Sequence, residues 1–225
     1  IIGYFADGSV KLNGEYFGGS KIGIWKWYNQ DGIVTCEGEY INGSQEGDWK
    51  WYHDNGKLSE ERTFIDGKVE GMTIDYFENG KVRSEENYRD DELHGTSAFY
   101  VETGEVKYFR YYDDGFMIGY SYLGSDGKAL PMKKLDKTDD VMEAFFQNGK
   151  PSYYSEYKGG YTHGKNIHYH ANGKMQSERT YVKSQLDGVR KEFFANGKLK
   201  KESNYVTGDK QGTSTEYHSN GKVKS

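Results

Sequence analysis

Apolar, mostly aromatic positions and polar turn residues alternate along the chain with a period of about 24 residues. Most units contain a glycine preceded by Asp, Asn or Thr, an aromatic residue eight positions later and a second glycine fifteen positions later, as in Gly32, Tyr40 and Gly47. The segments between these points are six to eight residues long and rich in Tyr, Phe, Thr, Val and Glu, which is typical of β-strands. Glycine recurs too often for a helical face to develop. Each unit is therefore predicted to be two antiparallel strands.

The first glycine of each unit is predicted to close a three-residue turn. A two-residue loop at Asn55-Gly56 would put Tyr52 and Leu58 on opposite faces, whereas a three-residue loop pairs them. We therefore predict type I turns that end in a glycine bulge, with the glycine in the left-handed conformation. The structural turn glycines are Gly32, Gly56, Gly80, Gly173, Gly197 and Gly221. By the same alternation Phe64 should lie on the face of Tyr52, and the second glycine of each unit should mark a looser turn.

These units predict an all-β protein in which tandem 24-residue β-hairpin repeats form an elongated, twisted, single-layer antiparallel sheet. The regularity breaks after Gly127, where the next 13 residues lack the expected tyrosine and second glycine and contain Pro131. We predict a first hairpin array at 1–127, an irregular junction at 128–140 and a second array at 141–225. The junction is either a degenerate repeat that still pairs in the sheet or a hinge or partner-docking insert.

Composition and charge exclude several classes of protein. The 225 residues include 30 Lys+Arg and 35 Asp+Glu, for a formal charge of −5, and 34% are hydrophobic. No segment has the roughly 18 consecutive apolar residues of a membrane-spanning helix. Thirty-six aromatic residues and two prolines argue against disorder. The acidic balance disfavours nucleic-acid binding, and the single cysteine excludes a disulfide framework and a Cys-based zinc site.

The repeated units resemble the MORN repeat variant. The pattern is carried by Tyr40, Gly43, Gly47, Trp49 and Tyr52 followed by Asn55-Gly56-Lys57, and it returns from Tyr205 to Lys222. Similar repeats occur in bacterial proteins called YwqK-family antitoxins. The resemblance implies hairpins strung into a single sheet, a role as an interaction scaffold, and, from the antitoxin label, neutralisation of a partner protein. The tryptophan of the pattern is kept only at Trp25 and Trp49.

Four tryptophans form the candidate binding site. Trp25, Trp27, Trp49 and Trp51 occupy equivalent positions in two neighbouring units and are expected to point away from the Tyr52 face. They are either covered by the chain itself or exposed as a binding patch. The Trp-Tyr pairs also look like pieces of choline- or glucan-binding repeats, which implies a second hypothesis of surface-glycan binding.

Catalytic and metal sites are not supported by the spacing of reactive residues. The glycines at 159, 160 and 164 approach a P-loop pattern, but Asn166 stands where Ser or Thr would bind magnesium. His168 and His170 could share a strand face, yet no third ligand is fixed, and an exposed strand position is expected for His168. Glu37 and its equivalents recur like structural residues, and Cys36 is interpreted as a core thiol. We predict no catalytic residue, no cofactor, no nucleotide and no metal.

The function that follows is a non-enzymatic repeat scaffold that binds another macromolecule, with a protein partner favoured, along its sheet face. Glycan binding through the tryptophans is the alternative, and antitoxin-type neutralisation of a protein is a third hypothesis. End-to-end association through terminal strands is also expected. The sequence starts with Ile1-Ile2 in the middle of a unit, and export to the periplasm or cell surface is slightly favoured over the cytoplasm.

Overall fold

The computed structural model describes residues 1–136 and 139–224. These residues form two compact units, the first comprising residues 1–104 and 112–116 and the second residues 105–111 and 117–225. The described residues form strands and turns without a helix, and accordingly none of their segments is a helix long and apolar enough to cross a bilayer. The predicted all-β class, built from antiparallel hairpins, is confirmed.

The first unit is a sheet whose strands follow their order along the chain. Strands β1 to β8 are neighbours in sequence order, and β10 pairs with β8, as does the short β9. The strands are β1 (Ile2–Tyr4), β2 (Val10–Phe17), β3 (Ser20–Tyr28), β4 (Val34–Ile41), β5 (Ser44–Tyr52), β6 (Leu58–Ile65), β7 (Lys68–Tyr76), β8 (Val82–Arg89), β9 (Glu92–Leu93) and β10 (Gly95–Tyr100).

The second unit contains most of β11 (Val106–Asp113), the pair β12 and β13, and an eight-stranded antiparallel sheet. The order in that sheet is β14, β15, β16, β17, β19, β20 and β21, with β18 paired to β17. The strands after β11 are β12 (Phe116–Ser121), β13 (Lys133–Lys134), β14 (Asp139–Phe145), β15 (Pro151–Lys158), β16 (Tyr161–Tyr169), β17 (Met175–Val182), β18 (Gln185–Leu186), β19 (Gly188–Phe193), β20 (Leu199–Val206) and β21 (Asp209–Glu216).

The tight turns have the predicted geometry. Tyr52 pairs with Leu58, the Gly56 amide donates to the His53 carbonyl at 2.8 Å, and the His53 amide donates to the Lys57 carbonyl at 2.8 Å. Gly56 has a φ of 75°, in the left-handed region that favours glycine. The other five predicted turn glycines also have positive φ, at Gly32, Gly80, Gly173, Gly197 and Gly221.

Successive tight turns are joined by side-chain hydrogen bonds. In each of several turns the asparagine Oδ1 accepts a bond from the amide two residues later, while its Nδ2 donates to a carbonyl of the next turn, as Asn172 does to Ala195 at 2.7 Å. The following lysine reaches the same neighbouring turn, as Lys174 Nζ does to the Asn196 carbonyl at 2.8 Å. His170 Nε2 lies 3.0 Å from the Phe193 carbonyl oxygen, which accepts its hydrogen bond. These bonds explain the recurring Asn-Gly-Lys sequence.

The second turn of each 24-residue repeat lies earlier in the sequence than predicted. The chain reverses at Asp66-Gly67, where both residues have positive φ, and Ile65 pairs with Lys68. This is the geometry of a two-residue type I′ turn. Gly71, predicted to mark the turn, lies inside β7 with a φ of 76°. The prediction was wrong because glycine also serves where a strand bulges.

Bulges also reverse the faces that simple alternation predicts. Tyr52 pairs with Leu58, but Trp51 pairs with Glu60, so that Ser59 is an extra residue in β6. An extra residue moves every later side chain to the other face. Phe64 therefore packs on Trp49, with ring centroids 5.9 Å apart, and the prediction that it shares the face of Tyr52 is wrong.

The predicted junction at 128–140 keeps some of the pairing of a repeat. Leu123 and Ala129 form an isolated bridge, and in β13 Lys133 and Lys134 pair with Tyr120 and Gly119. These contacts agree with a degenerate repeat. Residues 137 and 138 of the junction, and residue 225 at the end of the second array, lie outside the described residues. The compact units divide near residues 104–117, and the division into arrays at 1–127 and 141–225 stays a prediction.

Candidate functional site

The four predicted tryptophans form a continuous aromatic column in the first unit. Trp25 and Trp27 lie on β3 and Trp49 and Trp51 on β5. Successive indoles lie 5.8 to 5.9 Å apart between ring centroids. Trp25 and Trp49 are only 2% exposed, whereas Trp27 and Trp51 are half-buried. The column is thus largely a core feature of this face.

Burial of the two inner tryptophans depends on glycines in the neighbouring strand. Between the pairs Glu37–Lys50 and Glu39–Glu46, one residue of β4, Gly38, faces three residues of β5. This bulge lays the Trp49 indole on the bare Gly38 backbone, where an added Cβ would come closer than 3.0 Å to the ring. Tyr40 closes the site edge-on at 5.0 Å, and the indole Nε1 donates to the Glu39 carbonyl at 3.2 Å. Gly14 and Trp25 repeat the arrangement.

Cations cover the outer parts of the column. Lys21 Nζ lies 4.5 Å from the Trp25 ring centroid and 5.4 Å from that of Trp27. The Arg62 guanidinium lies 5.7 Å from the Trp51 ring. These are cation–π contacts. Of the four tryptophans, only Trp27 and Trp51 expose a substantial surface to solvent, and part of that surface lies under these cations. Binding by the tryptophans stays a prediction.

The opposite face of the first unit carries a repeated tyrosine–glutamate contact. Each tyrosine hydroxyl donates to the carboxylate fifteen residues earlier, at 2.6 Å for Tyr52 to Glu37 and 2.6 Å for Tyr76 to Glu61. Tyr100 repeats the contact with Glu85 at 2.7 Å. Lys26 also pairs with Glu37 at 2.7 Å. For Glu37, Glu61 and Glu85 these contacts agree with the structural role predicted for the recurring glutamates.

These contacts shift the pKa of Glu37 and of the tyrosines. The hydrogen bond from Lys26, and then that from Tyr52, lower the pKa of Glu37. Burial, followed by the bond to a carboxylate, raises the pKa of Tyr52 to about 12 and that of Tyr76 to about 12. Both tyrosines therefore remain protonated donors at neutral pH, and the tyrosine–glutamate contact persists.

The second unit has a buried basic cluster that the sequence analysis missed. Lys107 Nζ lies 2.8 Å from His168 Nδ1, and Lys107 is only 6% exposed. Burial, followed by the charges of Arg179 and Arg110, lowers the pKa of Lys107 to about 7. Burial, and then the charge of Lys107, lowers the pKa of His168 well below its usual value. The expectation that His168 occupies an exposed position is wrong.

Tyrosine and asparagine side chains complete this cluster. Tyr153 packs 4.5 Å from Tyr108 and 4.9 Å from His168 between ring centroids. Its hydroxyl accepts bonds from Arg110 at 2.8 Å and from Asn166 at 2.5 Å. Burial raises the pKa of Tyr153 to about 12, so it stays a neutral phenol. The cluster is thus a polar core in which Arg110 and Asn166 donate hydrogen bonds to Tyr153. The first unit has its indole column instead.

Two openings in the described part of the second unit lie on the sheet surface. One, of about 120 Å³, lies above Ser203 and Ser214, whose hydroxyls are 3.0 Å apart. Ser214 occupies the repeat position of Trp49, so the opening lies where an indole would stand. The other, of about 470 Å³, lies beside Phe193 and Leu199. This second opening is called the Phe193 groove below.

Comparison with protein families identifies the repeat. The family model described as the MORN repeat variant matches residues 21–42, 45–66, 69–90, 162–183, 186–207 and 210–225, together more than half of the chain. The chain belongs to the MORN repeat variant family. MORN repeats are generally modules that bind proteins or membranes. The match includes the tryptophan-bearing strands β3 and β5 and the Phe193 groove.

Comparisons with individual proteins add little to the MORN assignment. No curated protein matches the chain significantly. The crystal structure of TcdB2-TccC3-Cdc42 is similar over 96% of this chain and 13% of that chain, at 12% identity and a TM-score of 0.22. The crystal structure of TcdB2-TccC3 is similar over 94% of this chain and 14% of that chain, at 11% identity and a TM-score of 0.21. This chain thus spans only a small part of the length of both.

The remaining candidate chemistry is explained largely by the MORN architecture. Gly159 and Gly160, both with positive φ, form the two-residue turn between β15 and β16, where a P-loop would lead into a helix. Burial raises the pKa of the Cys36 thiol to about 11, and Cys36 packs against the Trp49 core, in agreement with a core thiol. His168 and His170 bond to different groups, Lys107 and Phe193 O.

One group in the described residues has side chains that could approach a metal ion. Ligand atoms of His94, Asp113 and Asp114 lie within 4.8 Å of one another. Asp114 also pairs with Arg89, and both aspartates are exposed. The sequence analysis missed this group because Asp113 and Asp114 follow His94 by about twenty residues, in the next repeat. The ion pair with Arg89 is sufficient to explain the position of Asp114.

Proposed function

We propose that this MORN-repeat chain is a non-enzymatic scaffold that binds a protein partner along its sheet surface. The supporting observation is a row of exposed apolar side chains at equivalent repeat positions beside the two-residue turns. In the first unit these are Phe17, Ile41 and Ile65, which are 77%, 50% and 51% exposed. Each directly follows a ring that packs on the tryptophan column, so the row lies on the opposite face, with the tyrosine–glutamate contacts.

Single exposed apolar residues are common on protein surfaces, but a regular row is not. Ile24 and Met72, which are 56% and 49% exposed, add to the row. They lie on the same face because their cross-strand partners Glu39 and Asn87 lie on that face. A flat surface of this kind suits a partner that covers several repeats at once. Phe17 at its end is a large ring of the type that anchors interfaces.

The experiment is capture from the native source with the double variant Ile41→Glu/Ile65→Glu. Loss of the captured protein is expected, since two buried carboxylates would oppose an apolar interface. The control is Ala6→Glu/Gln30→Glu. It adds the same charge at two exposed sites beside the three-residue turns, at the opposite ends of the strands from the isoleucines. Equal capture by wild type and the isoleucine variant would refute the proposal.

Glycan binding by the tryptophan column has less support. A sugar stacks on an open aromatic face, and Trp25 and Trp49 are buried, while Lys21 and Arg62 cover parts of the other two rings. Titration with polysaccharide while tryptophan fluorescence is recorded tests this alternative. A saturable change that the Trp27→Thr/Trp51→Thr variant lacks would favour glycan binding over the protein scaffold.

A further inference from the structure

The tyrosine–glutamate contact of the first unit is interrupted at an equivalent place in the second unit. Tyr76 donates to Glu61, fifteen residues earlier. Phe193 stands fifteen residues after Glu178 and has no hydroxyl group to donate. Within the part of the chain that the structure describes, the Glu178 carboxylate makes neither a hydrogen bond nor an ion pair. Phe193 therefore offers Glu178 no hydroxyl donor. The next glutamate of the series, Glu202, stands fifteen residues before Tyr217 but pairs with Lys191 at 3.8 Å.

The Phe193 groove lies beside this carboxylate. It has a volume of about 470 Å³, and Glu178 lines it together with Met175, Phe193 and Leu199. Phe193 and Leu199 are cross-strand partners at a tight turn. Their side chains therefore lie on one face and give the groove an apolar floor.

Other charged groups at the groove already have partners. Lys191 pairs with Glu202 at 3.8 Å, and Lys174 Nζ donates to the Asn196 carbonyl at 2.8 Å. Burial, and then the carboxylates of Glu143 and Glu178, raise the pKa of the nearby Tyr169. The negative charge of Glu178 therefore acts on its surroundings. Its cross-strand partner Lys191 pairs with Glu202, so that Glu178 has no ion pair within the described residues.

A lysine or arginine side chain has the shape and charge that complement this arrangement. Its methylene stem can lie on Phe193 and Met175 while the cationic end reaches Glu178, and a cation near the Phe193 ring gains a further cation–π attraction. An acidic side chain would be repelled by Glu178 and Glu202. A bare divalent ion would need more oxygen ligands than one available carboxylate supplies.

We propose that the Phe193 groove receives a basic side chain, lysine or arginine, from a protein partner. This inference rests on the proposed function, because it specifies which chemistry a protein partner presents to one place on the second unit. The chain's net charge of −5 favours a basic partner segment. Phe193 supplies the contact area and Glu178 the charge selectivity.

The test is an NMR titration of the isotope-labelled full chain with the end-blocked tripeptide Gly-Lys-Gly. Saturable shifts are expected at the amides of Glu178, Lys191 and Phe193. Affinity should fall at least about fivefold with Glu178→Gln, and likewise with Phe193→Tyr, whose new hydroxyl can bond to Glu178. Two further peptides, Gly-norleucine-Gly and Gly-Glu-Gly, separate apolar binding and non-selective binding from recognition of the cation.

Equivalent residues of the first unit provide matched controls. Glu61→Gln removes a carboxylate that Tyr76 already occupies and should leave the lysine-peptide affinity unchanged. Equal binding of the lysine and glutamate peptides, absence of shifts at the groove, or unchanged affinity in both groove variants would overturn the inference. If either variant fails to fold, the other decides. Because no natural partner is used, a negative titration refutes the groove alone, whereas the isoleucine variant tests the scaffold function separately.

Discussion

Replacing Gly38 by alanine tests whether Trp49 is buried because no side chain lies beneath it. The new Cβ would fall closer than 3.0 Å to the indole carbons, so the ring must retreat by on the order of 1 Å to reach the ~3.5 Å separation of carbon atoms in contact. Trp49 is 2% exposed and enclosed by Tyr40 and Phe64. Overpacking of such a site costs about 1–3 kcal/mol, although alanine is intrinsically better than glycine in a strand by roughly 0.5–1 kcal/mol.

The partner substitution in the same experiment is Trp49→Thr, which copies the residue at position 73 of the next repeat. Loss of a buried indole costs about 3–5 kcal/mol. Once the indole is absent, the methyl group that Gly38→Ala introduces meets no ring, and the double variant should be no less stable than Trp49→Thr alone. The expected coupling is therefore roughly 1–3 kcal/mol in favour of the double variant.

The assay is urea unfolding of the four proteins, followed by far-UV circular dichroism, which does not depend on the number of tryptophans. An equal cost of Gly38→Ala in both backgrounds would refute the argument, because the penalty would then arise from the backbone and not from the indole. The same four-protein comparison can be repeated independently with Gly14 and Trp25 in the neighbouring repeat.

Four further predictions concern other parts of the chain. Gly80→Val forces a branched side chain into a φ of 87° and should destabilise the protein by about 1 kcal/mol more than Glu85→Ala, which loses one bond from Tyr100; equal urea midpoints would contradict the turn assignment. In the folded chain Lys107 has a pKa of about 7, against 10.5 for an ordinary lysine. Between these two pH values the unfolded chain binds one proton more than the folded chain, so the free energy of unfolding should rise with pH by up to about 1.4 kcal/mol per pH unit. Lys107→Met should flatten this rise between pH 7 and 9. Asn172→Ala loses two turn bonds and should cost about 1–2 kcal/mol, more than Asn172→Asp, which keeps the acceptor. At pH 8 the Cys36 thiolate fraction should be roughly a hundredfold below that of an ordinary thiol, so its reaction with a disulfide reagent should be slow until urea unfolds the chain.

The tight turns could be predicted from the sequence because local chemistry decides them. Glycine at the end of a three-residue loop is the solution that keeps Tyr52 opposite Leu58, and both features are present in a few consecutive residues. The bulge at Ser59 could not be read in this way. It adds one residue to a strand that has no unusual composition, and so the face of Phe64 was predicted wrongly.

The candidate sites depend on contacts between distant residues, which a periodic pattern does not reveal. Lys107 and His168 are 61 positions apart. In the sequence of its own 24-residue repeat, each looks like an ordinary polar strand residue. The burial of Trp49 needed knowledge of Gly38, which the pattern alone does not mark as its partner. In both cases the missing information was the packing between strands, because the backbone pairing of a hairpin leaves the size of each cross-strand neighbour open.

A repeat protein offers a way to separate structural residues from binding residues, because every position has internal equivalents. Where equivalent residues make the same contact, as Tyr52, Tyr76 and Tyr100 do with carboxylates fifteen residues earlier, the contact belongs to the architecture. Where an equivalent position cannot make that contact, as at Phe193 beside Glu178, the repeated contact does not account for the residue. The surface beside Phe193 combines an apolar floor with the Glu178 carboxylate, and it is there that a basic side chain of a partner can supply the contact.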